Sequence, residues 1–196
     1  FAADVDVITS EFENVPATIM DLLADICPVS PGRIALHTAQ HRIREKTLAR
    51  ELGIATPKFW PIASASDLKA AMRGHGLPGI MKTCTLGYDG KGQVRVKPRD
   101  DMDAAFDSLG TDDAILEEMV DFAAEASFLL ARNATGEISH FPASLNHHRN
   151  GILAQSAAPA PLLLRSQMRT IMLMLTITLM LTIMLMLTIM LMLMIL

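Results

Sequence analysis

The pattern of apolar and polar positions divides the chain into a helix-rich first part and a strand-rich second part. Apolar residues at helical spacing predict a helix over residues 16–25 and a long amphipathic helix over 32–52. Short apolar or alternating runs predict strands. The predicted strands are 5–9, 56–62, 79–83, 94–96, 114–118, 125–132, 138–141 and 152–157.

Two more helices are predicted, over residues 66–74 and 99–109. Alternation of helices and strands up to about residue 75 indicates the end of an α/β domain, and the strand-rich remainder indicates a small antiparallel sheet with helices on one face. We therefore expect a mixed α/β (α+β) fold. Its expected parts are the end of an α/β domain at 1–54, a sheet domain and the start of a further subdomain at 55–161, and a tail at 162–196.

The tail has a composition of its own. Residues 170–196 contain only threonine, isoleucine, methionine and leucine, arranged as a six-residue repeat. A run of this length without charge is long enough to span a bilayer, yet it lacks an aromatic belt and a flanking lysine cluster. A simple DNA repeat read after a frameshift would produce the same run. We favour that origin and do not expect the membrane to be a partner.

Composition narrows the class of protein. The 196 residues carry a net charge of −4 and no basic block, which argues against a general nucleic-acid binder. Cys27 and Cys84 show no metal-ligand spacing, so we expect reduced thiols in a cytoplasmic protein. The chain has no signal peptide and begins at Phe1 in what reads as the middle of a domain, and we expect it to be a fragment.

The most informative motif is a cationic glycine loop between two predicted strands. The first strand ends at Lys82, the loop contains three glycines and Lys91, and the second strand follows. Glycine lets backbone amides approach an anion closely, and lysine adds positive charge, so the pattern predicts a phosphate-binding hairpin. It is not the G-x-x-x-x-G-K-[ST] loop, which runs from a strand into a helix. An ordinary solvated turn is the alternative.

Several motifs occur together in a fixed order. They are EFENVP at 11–16, HRIREK at 41–46, GYDGKGQ at 87–93, ILEE at 115–118 and HRNGIL at 148–153. Together they resemble the 5-(carboxyamino)imidazole ribonucleotide synthases of the ATP-grasp superfamily, and the resemblance covers residues 1–161. It implies an ATP-grasp fold fragment, with the end of the preceding domain at 1–54 and the lid domain from residue 55.

The resemblance also implies an activity. Such an enzyme joins bicarbonate to 5-aminoimidazole ribonucleotide at the expense of ATP, through carboxyphosphate, and releases ADP and phosphate in de novo purine (IMP) biosynthesis. The implied cofactors are ATP and Mg²⁺, and the implied partners are these small molecules, with no nucleic acid. The family is commonly homodimeric and cytoplasmic.

Site residues follow from the resemblance on the phosphate side. Arg42 and Lys82 are implied to contact the ATP phosphates; without the family they would be an ordinary helix-face charge and a surface strand lysine. Tyr88 and Lys91 are implied to face bicarbonate and substrate as the catalytic groups. The lid over the phosphates comprises Gly87, Tyr88, Asp89, Gly90, Lys91, Gly92 and Gln93.

Further residues are implied to hold the nucleoside and the second substrate. A short strand would read adenine through its backbone, and it comprises Glu117, Glu118, Met119 and Val120. Glu125 is implied to accept the ribose hydroxyls, and His148 to contact the nucleotide, although the adjacent His147 is an equal candidate from sequence. Glu11 or Glu13 is implied to bind the aminoimidazole ribonucleotide.

The sequence departs from the family in ways that limit these expectations. Leu86 replaces a glycine that usually precedes Gly87, and the sequence includes neither the glycine-rich strand–helix unit that starts the family nor the half that carries the Mg²⁺ ligands. We therefore expect an inactive fragment. Another ATP-grasp ligase is one alternative, against which Tyr88 and Asp89 argue. A membrane-anchored nucleotide-binding module and a structural domain without a ligand are the others.

Overall fold

The computed structural model describes residues 1–10, 12, 14–76, 78–87, 91–122, 124–133, 135–149, 152–160 and 191–195. The helices are a 3₁₀ turn at Ala2–Asp4, α1 (Ala17–Ala24), α2 (Arg33–Ala39), α3 (Arg42–Glu51), α4 (Ala65–His75) and α5 (Met102–Leu109). The strands are β1 (Phe59–Ile62), β2 (Gly79–Thr83), β3 (Gln93–Val96), β4 (Ala114–Glu118), β5 (Ala124–Phe128), β6 (Leu130–Arg132), β7 (Ile138–His140), β8 (Ser144–Arg149), β9 (Ile152–Ala157) and β10 (Leu191–Ile195).

A four-stranded antiparallel sheet forms the centre of the described chain. Its strand order is β1-β4-β2-β3, so β4 and β2 are the two inner strands. Since side chains alternate between faces, every second residue of these strands points to one side. That side packs against α4 and α5 to form the main hydrophobic core. The fully buried residues of this core include Ile62, Leu68, Met81, Val96 and Leu116. The sheet with helices on one face is the arrangement that the sequence predicts.

Side-chain caps determine where α4 and α5 begin. Ser64 accepts a hydrogen bond from the Asp67 amide, and the Asp67 carboxylate accepts in return from the Ala63 amide and the Ser64 hydroxyl. Asp101 likewise accepts from the amides of the first turn of α5. Such caps satisfy helix amides that have no partner within the helix. The predicted helices at 66–74 and 99–109 are therefore confirmed, with starts shifted by one to three residues.

The long helix predicted over 32–52 is wrong, because the chain forms α2 and α3 with a break between them. His41 has an extended backbone, with φ −138° and ψ 115°. The Arg42 amide donates to the Cys84 carbonyl at 3.0 Å, and the His41 ring lies 3.1 Å from Asp113. These contacts with a segment distant in sequence outweigh the helical pattern. Within α2, Leu36 is buried whereas Ile34 is 70% exposed.

A second sheet has the strand order β10-β5-β8-β9, with every pair antiparallel. The single strand predicted over 125–132 is in fact two, because β5 belongs to this sheet while β6 pairs with β7 in a separate hairpin. Strand β7 agrees with the strand predicted over 138–141. Strand β8 was not predicted, since its run of asparagine, two histidines and arginine lacks the apolar alternation of a strand.

At the N-terminal end, the strand predicted over 5–9 is reduced to one parallel bridge between Ile8 and Val29. The Ile8 amide donates to the Pro28 carbonyl and the Ser30 amide donates to the Ile8 carbonyl, both at 2.8 Å. Helix α1 matches the predicted helix, with Pro16 at its N-cap position. The division at residues 54 and 161 stays a prediction.

In the tail, only 191–195 belong to the described residues. There β10 pairs antiparallel with β5, with Leu191 opposite Phe128 and Ile195 opposite Ala124. Among the described residues, no helix combines the length and apolar character needed to cross a membrane.

Replacement of Ser64 by alanine removes the cap of α4. We expect Ser64→Ala to lower the free energy of unfolding by about 1 kcal/mol, because the Asp67 amide loses its acceptor. Ser66→Ala is the matched control, since Ser66 is an exposed serine inside the same helix. Urea unfolding of both variants measures the difference, and equal stabilities would show that the cap contributes nothing.

Candidate phosphate-binding and nucleoside-binding site

The sheet face opposite the main core carries charge. On β2, Met81 points into the core and Lys82 to the other side; on β4, Leu116 points into the core and Glu117 to the other side. Helix α3 lies against this second face, where Lys46 reaches Glu117. Alternation therefore places Lys82 and Glu117 on the face away from the main core, together with the fully buried Ile115.

Glu117 is buried between two lysines. Its Oε2 lies 2.9 Å from Lys82 Nζ, with which it forms a hydrogen bond, and its Oε1 lies 3.4 Å from Lys46 Nζ. The Glu117 residue is 6% exposed. A buried carboxylate is tolerated only where cations or donors compensate for its lost hydration. The two lysines, from α3 and β2, supply that compensation.

The ionised state of Glu117 is the favoured one. Burial raises the pKa of Glu117, but the positive charges of Lys82 and then Lys46, with the hydrogen bonds that they donate, outweigh burial and leave the pKa below its ordinary value. At neutral pH the group therefore consists of one carboxylate and two ammonium ions. It has an excess of one positive charge.

Arg42 adds a third cation beside this group. Its Nε donates to the Thr83 carbonyl at 3.1 Å, and its backbone amide donates to the Cys84 carbonyl at 3.0 Å. Arg42 and Lys46 are four residues apart on α3, so both project from the same helix face. The structure thus brings together two predicted phosphate-contacting residues, Arg42 and Lys82, at the end of β2. Their combined charge suits an anion.

The base of the loop leaves no room for a side chain at Gly92. The Gly92 carbonyl accepts from the Thr83 amide at 2.9 Å, and Gly92 has a left-handed φ of +68°. A Cβ there would lie 2.8 Å from Thr83 Oγ1, closer than real Cβ contacts. Glycine at this position therefore lets the hairpin close.

Leu86 occupies a backbone conformation that suits glycine. Its φ is +60°, and its side chain is 68% exposed. For an L-residue this region costs roughly 1–2 kcal/mol. The side chain buries little surface that would offset this cost. The position that departs from the family pattern is therefore also the one strained non-glycine position among the described residues.

The remaining lid residues are only partly described. Tyr88, Asp89 and Gly90 lie outside the described residues, as do the predicted substrate residues Glu11 and Glu13. Lys91 is exposed, and Gln93 pairs directly opposite Lys82 on β3, so both side chains share the charged sheet face. Gly87 lies beside Arg42, where a Cβ would come within 3.3 Å of the guanidinium.

A second polar group lies on β5 and β8. Glu125 is 9% exposed, and its Oε1 lies 3.1 Å from Nδ1 of His148. Asn146, directly opposite Glu125, donates to Ser127 at 2.6 Å and approaches Glu125 at 3.4 Å. The sequence left His147 and His148 equal; a β-bulge between them interrupts the strand pairing, and His148 is the one that contacts Glu125.

The predicted adenine segment connects the two groups. Glu117 and Glu118 end β4, and Met119 and Val120 begin the connection to β5. The amides of Glu118 and Met119 already donate, to the carbonyls of Lys58 at 2.9 Å and Pro78 at 3.3 Å. These two amides are therefore engaged within the fold, and backbone recognition of a base by this segment stays a prediction.

Lys46 and Asn146 belong to these two polar groups, but the sequence alone assigned no role to either of them. Lys46 could have been found from its spacing of four residues from Arg42 on a predicted helix. Asn146 carried no comparable signal, because its importance comes from lying opposite Glu125 in a strand that the sequence did not predict.

The sequence comparisons identify the family. The family model described as ATP-grasp domain matches residues 47–192. The chain belongs to the ATP-grasp family. The match includes Lys82, the glycine loop, Glu117, Glu125 and His148, and the predicted fold class is confirmed.

This ATP-grasp chain is similar to the N5-carboxyaminoimidazole ribonucleotide synthase of Pseudomonas aeruginosa, with 43% identity over 157 residues, which are 80% of this chain and 44% of that protein. The chain thus spans less than half the length of that relative. Among solved structures, N5-carboxyaminoimidazole synthetase from Staphylococcus aureus complexed with ADP has a TM-score of 0.79 at 30% identity, covering 88% of this chain and 46% of that one. The synthetase from Thermus thermophilus has a TM-score of 0.77 at 36% identity, covering 91% and 49%.

Replacement of Glu117 by glutamine should change how the stability of this ATP-grasp chain depends on pH. Because the folded-state pKa of Glu117 is lowered, its ionisation stabilises the fold above pH of about 4.3 and this stabilisation is lost as pH falls through the lowered pKa. The free energy of unfolding of Glu117→Gln should therefore be lower than that of the wild type by up to about 3 kcal/mol at pH 7, and the difference should shrink in acid.

Urea unfolding at a series of pH values measures this effect, with Glu51→Gln as the control, since Glu51 is an exposed acid at the end of α3. Parallel pH curves for the wild type and Glu117→Gln would contradict the assigned role of the carboxylate.

Replacement of Leu86 tests the strain at the loop. We expect Leu86→Gly to be more stable than Leu86→Ala by about 1 kcal/mol, because glycine relieves the left-handed strain while alanine keeps it, partly offset by the larger unfolded-state entropy of glycine. Denaturant midpoints of the two variants give the difference. An alanine variant as stable as the glycine variant would show that the position is unstrained.

Proposed function

We propose that this chain holds ATP for the carboxylation of 5-aminoimidazole ribonucleotide by bicarbonate, with release of ADP and phosphate. Similarity to N5-carboxyaminoimidazole ribonucleotide synthases supports the choice of reaction. One structural observation carries it: Lys46 and Lys82 flank a single buried carboxylate, and Arg42 donates to the Thr83 carbonyl where β2 enters the glycine loop.

The phosphates of the nucleotide fit the charge of this group. Three cations against one carboxylate leave an excess of two positive charges at the point where β2 enters the loop. Glu117 neutralises the lysines while the site is empty and holds their ammonium groups in place. A bound polyphosphate would then meet lysine side chains that are already in position, so binding would not have to order two flexible side chains.

The proposed reaction is a phosphoryl transfer followed by a carboxyl transfer. A bicarbonate oxygen bonds to the γ-phosphorus of ATP, the bond to the bridging oxygen breaks, and ADP leaves. The amine of 5-aminoimidazole ribonucleotide then attacks the carboxyl carbon of carboxyphosphate, phosphate leaves, and the amine proton passes to solvent. Lys82 and Arg42 stabilise the charge on the phosphoryl oxygens throughout, and Lys91 is proposed to face the bicarbonate side.

The nucleoside end is proposed to lie along the segment that follows β4. Val120 would read adenine through its backbone, since the Glu118 and Met119 amides are already engaged. Glu125 would accept the ribose hydroxyls, with His148 and Asn146 holding its carboxylate in position. The complex of the Staphylococcus aureus synthetase with ADP supports a nucleoside diphosphate as the ligand.

Magnesium fits the described residues poorly. Both carboxylate oxygens of Glu117 are paired with lysines. Among the described residues, His41, Cys84 and Asp113 have the spacing of metal ligands, but this group offers only one carboxylate. Magnesium prefers several oxygen ligands. No step of the proposed reaction is therefore assigned to a magnesium ion on these residues.

The finer parts of the proposal are a cytoplasmic location, a homodimer and small-molecule partners. Sedimentation equilibrium of the chain tests the dimer.

Nucleotide binding by the full chain is the first test. We expect saturable binding of ADP in a calorimetric titration and at least a roughly tenfold weaker affinity in Lys82→Met, because a charge-assisted contact to phosphate is lost. Lys69→Met is the matched control, since Lys69 pairs with Asp103 on the helical side of the sheet, away from the loop. A chain that unfolds cooperatively but binds no ADP would overturn the proposal.

Loss of binding must be separated from loss of folding. Lys82→Met leaves Glu117 with one lysine, which can destabilise the fold. The double variant Lys82→Met/Glu117→Gln removes both charges of the pair, so it should recover stability without recovering ADP affinity. Hydrolysis of ATP stimulated by 5-aminoimidazole ribonucleotide, measured on a protein of the relatives' length, then tests the choice of substrate.

A further inference from the structure

Three side chains that the proposed reaction does not use meet beside the end of β2 and the start of β4, the two inner strands of the sheet. His41 precedes α3, Cys84 follows β2, and Asp113 precedes β4. One ligand atom from each lies within 4.8 Å of the others. The three come from segments up to 72 residues apart, so their approach is a product of the fold.

Backbone hydrogen bonds hold the three segments together independently of these side chains. The Cys84 amide donates to the Asp113 carbonyl at 2.9 Å, and the Cys84 carbonyl accepts from the Arg42 amide at 3.0 Å. The Asp113 amide in turn donates to Thr111 Oγ1 at 3.1 Å. The cluster is therefore preorganised, unlike acids that meet by chance on a flexible surface.

The types of ligand and their spacing select a metal. Thiolate, imidazole and carboxylate are the groups that bind zinc, and its bond lengths place ligand atoms of a tetrahedral site roughly 3.3–3.8 Å apart. Nε2 of His41 and Oδ1 of Asp113 are 3.1 Å apart already. Small side-chain movements would bring all three to a common ion.

The Cys84 thiol is buried, and its sulfur lies within 4.8 Å of a carboxylate oxygen of Asp113. A divalent ion between the thiol and the carboxylate would place positive charge beside both groups. On binding, the Cys84 proton leaves to solvent and sulfur becomes the ligand.

We propose that His41, Cys84 and Asp113 form a zinc site that fixes the start of the glycine loop to the first turn of α3. Asp113 is half-exposed, so the ion enters from its side and a water completes the fourth position. Nδ1 of His41 is buried and has no hydrogen-bond partner among the described residues. Since most metal-binding histidines have such a partner, the affinity should be roughly 10–100-fold weaker than in a site with one.

Cobalt titration of the full chain under reducing conditions tests the site, because Co²⁺ replaces zinc and reports its ligands by absorption. We expect a thiolate-to-cobalt charge-transfer band in the near ultraviolet with visible bands of a tetrahedral ion, all displaced by Zn²⁺. Cys84→Ser should abolish the charge-transfer band. Cys27→Ser should keep it, since Cys27 is also a buried cysteine but lies beside the Val5 carbonyl, apart from the cluster.

Asp113→Asn covers the case in which Cys84→Ser fails to fold, because Asp113 is on the surface and its replacement is mild. It should weaken cobalt binding at least about tenfold. A charge-transfer band that persists in Cys84→Ser, a cobalt affinity unchanged in Asp113→Asn, or a cooperatively folded wild type without the band would each overturn the proposal.

Discussion

The carboxylate of Glu117, held between Lys46 and Lys82, is the interaction on which the described site depends. It joins the helix that precedes the sheet to the two inner strands, and it does so on the face away from the hydrophobic core. Breaking a buried ion pair leaves an uncompensated charge, which is costly. The helix can therefore not move from the sheet without exposing or neutralising that charge, and Arg42, one turn away, stays beside the loop.

Sequence patterns predict the parts of this fold that form from local signals. The hairpin around the glycine loop, the capped helices α4 and α5 and the strand that ends at Lys82 each depend on residues that are neighbours in the chain. The break before Arg42 could not be predicted, because it depends on Cys84 and Asp113, which are more than 40 residues away.

The candidate site shows the same division. Arg42, Lys82 and the loop follow from motifs, and Lys46 follows from its helical spacing to Arg42, whereas Asn146 gains its importance from its partner on the neighbouring strand. The choice between His147 and His148 required the register of β5 with β8: Asn146 lies opposite Glu125, and His148, two residues along β8, points to the same face. Resemblance to a family identified the region in which the chemistry lies, and the contacts identified which side chains support one another.

The pairing of β10 with β5 has a consequence for the repetitive tail. The repeat unit has six residues, an even number, so a displacement of the tail by one unit along β5 presents nearly the same side chains to the same faces. An even period therefore keeps each residue type of the repeat on one face of a strand, whichever unit forms that strand.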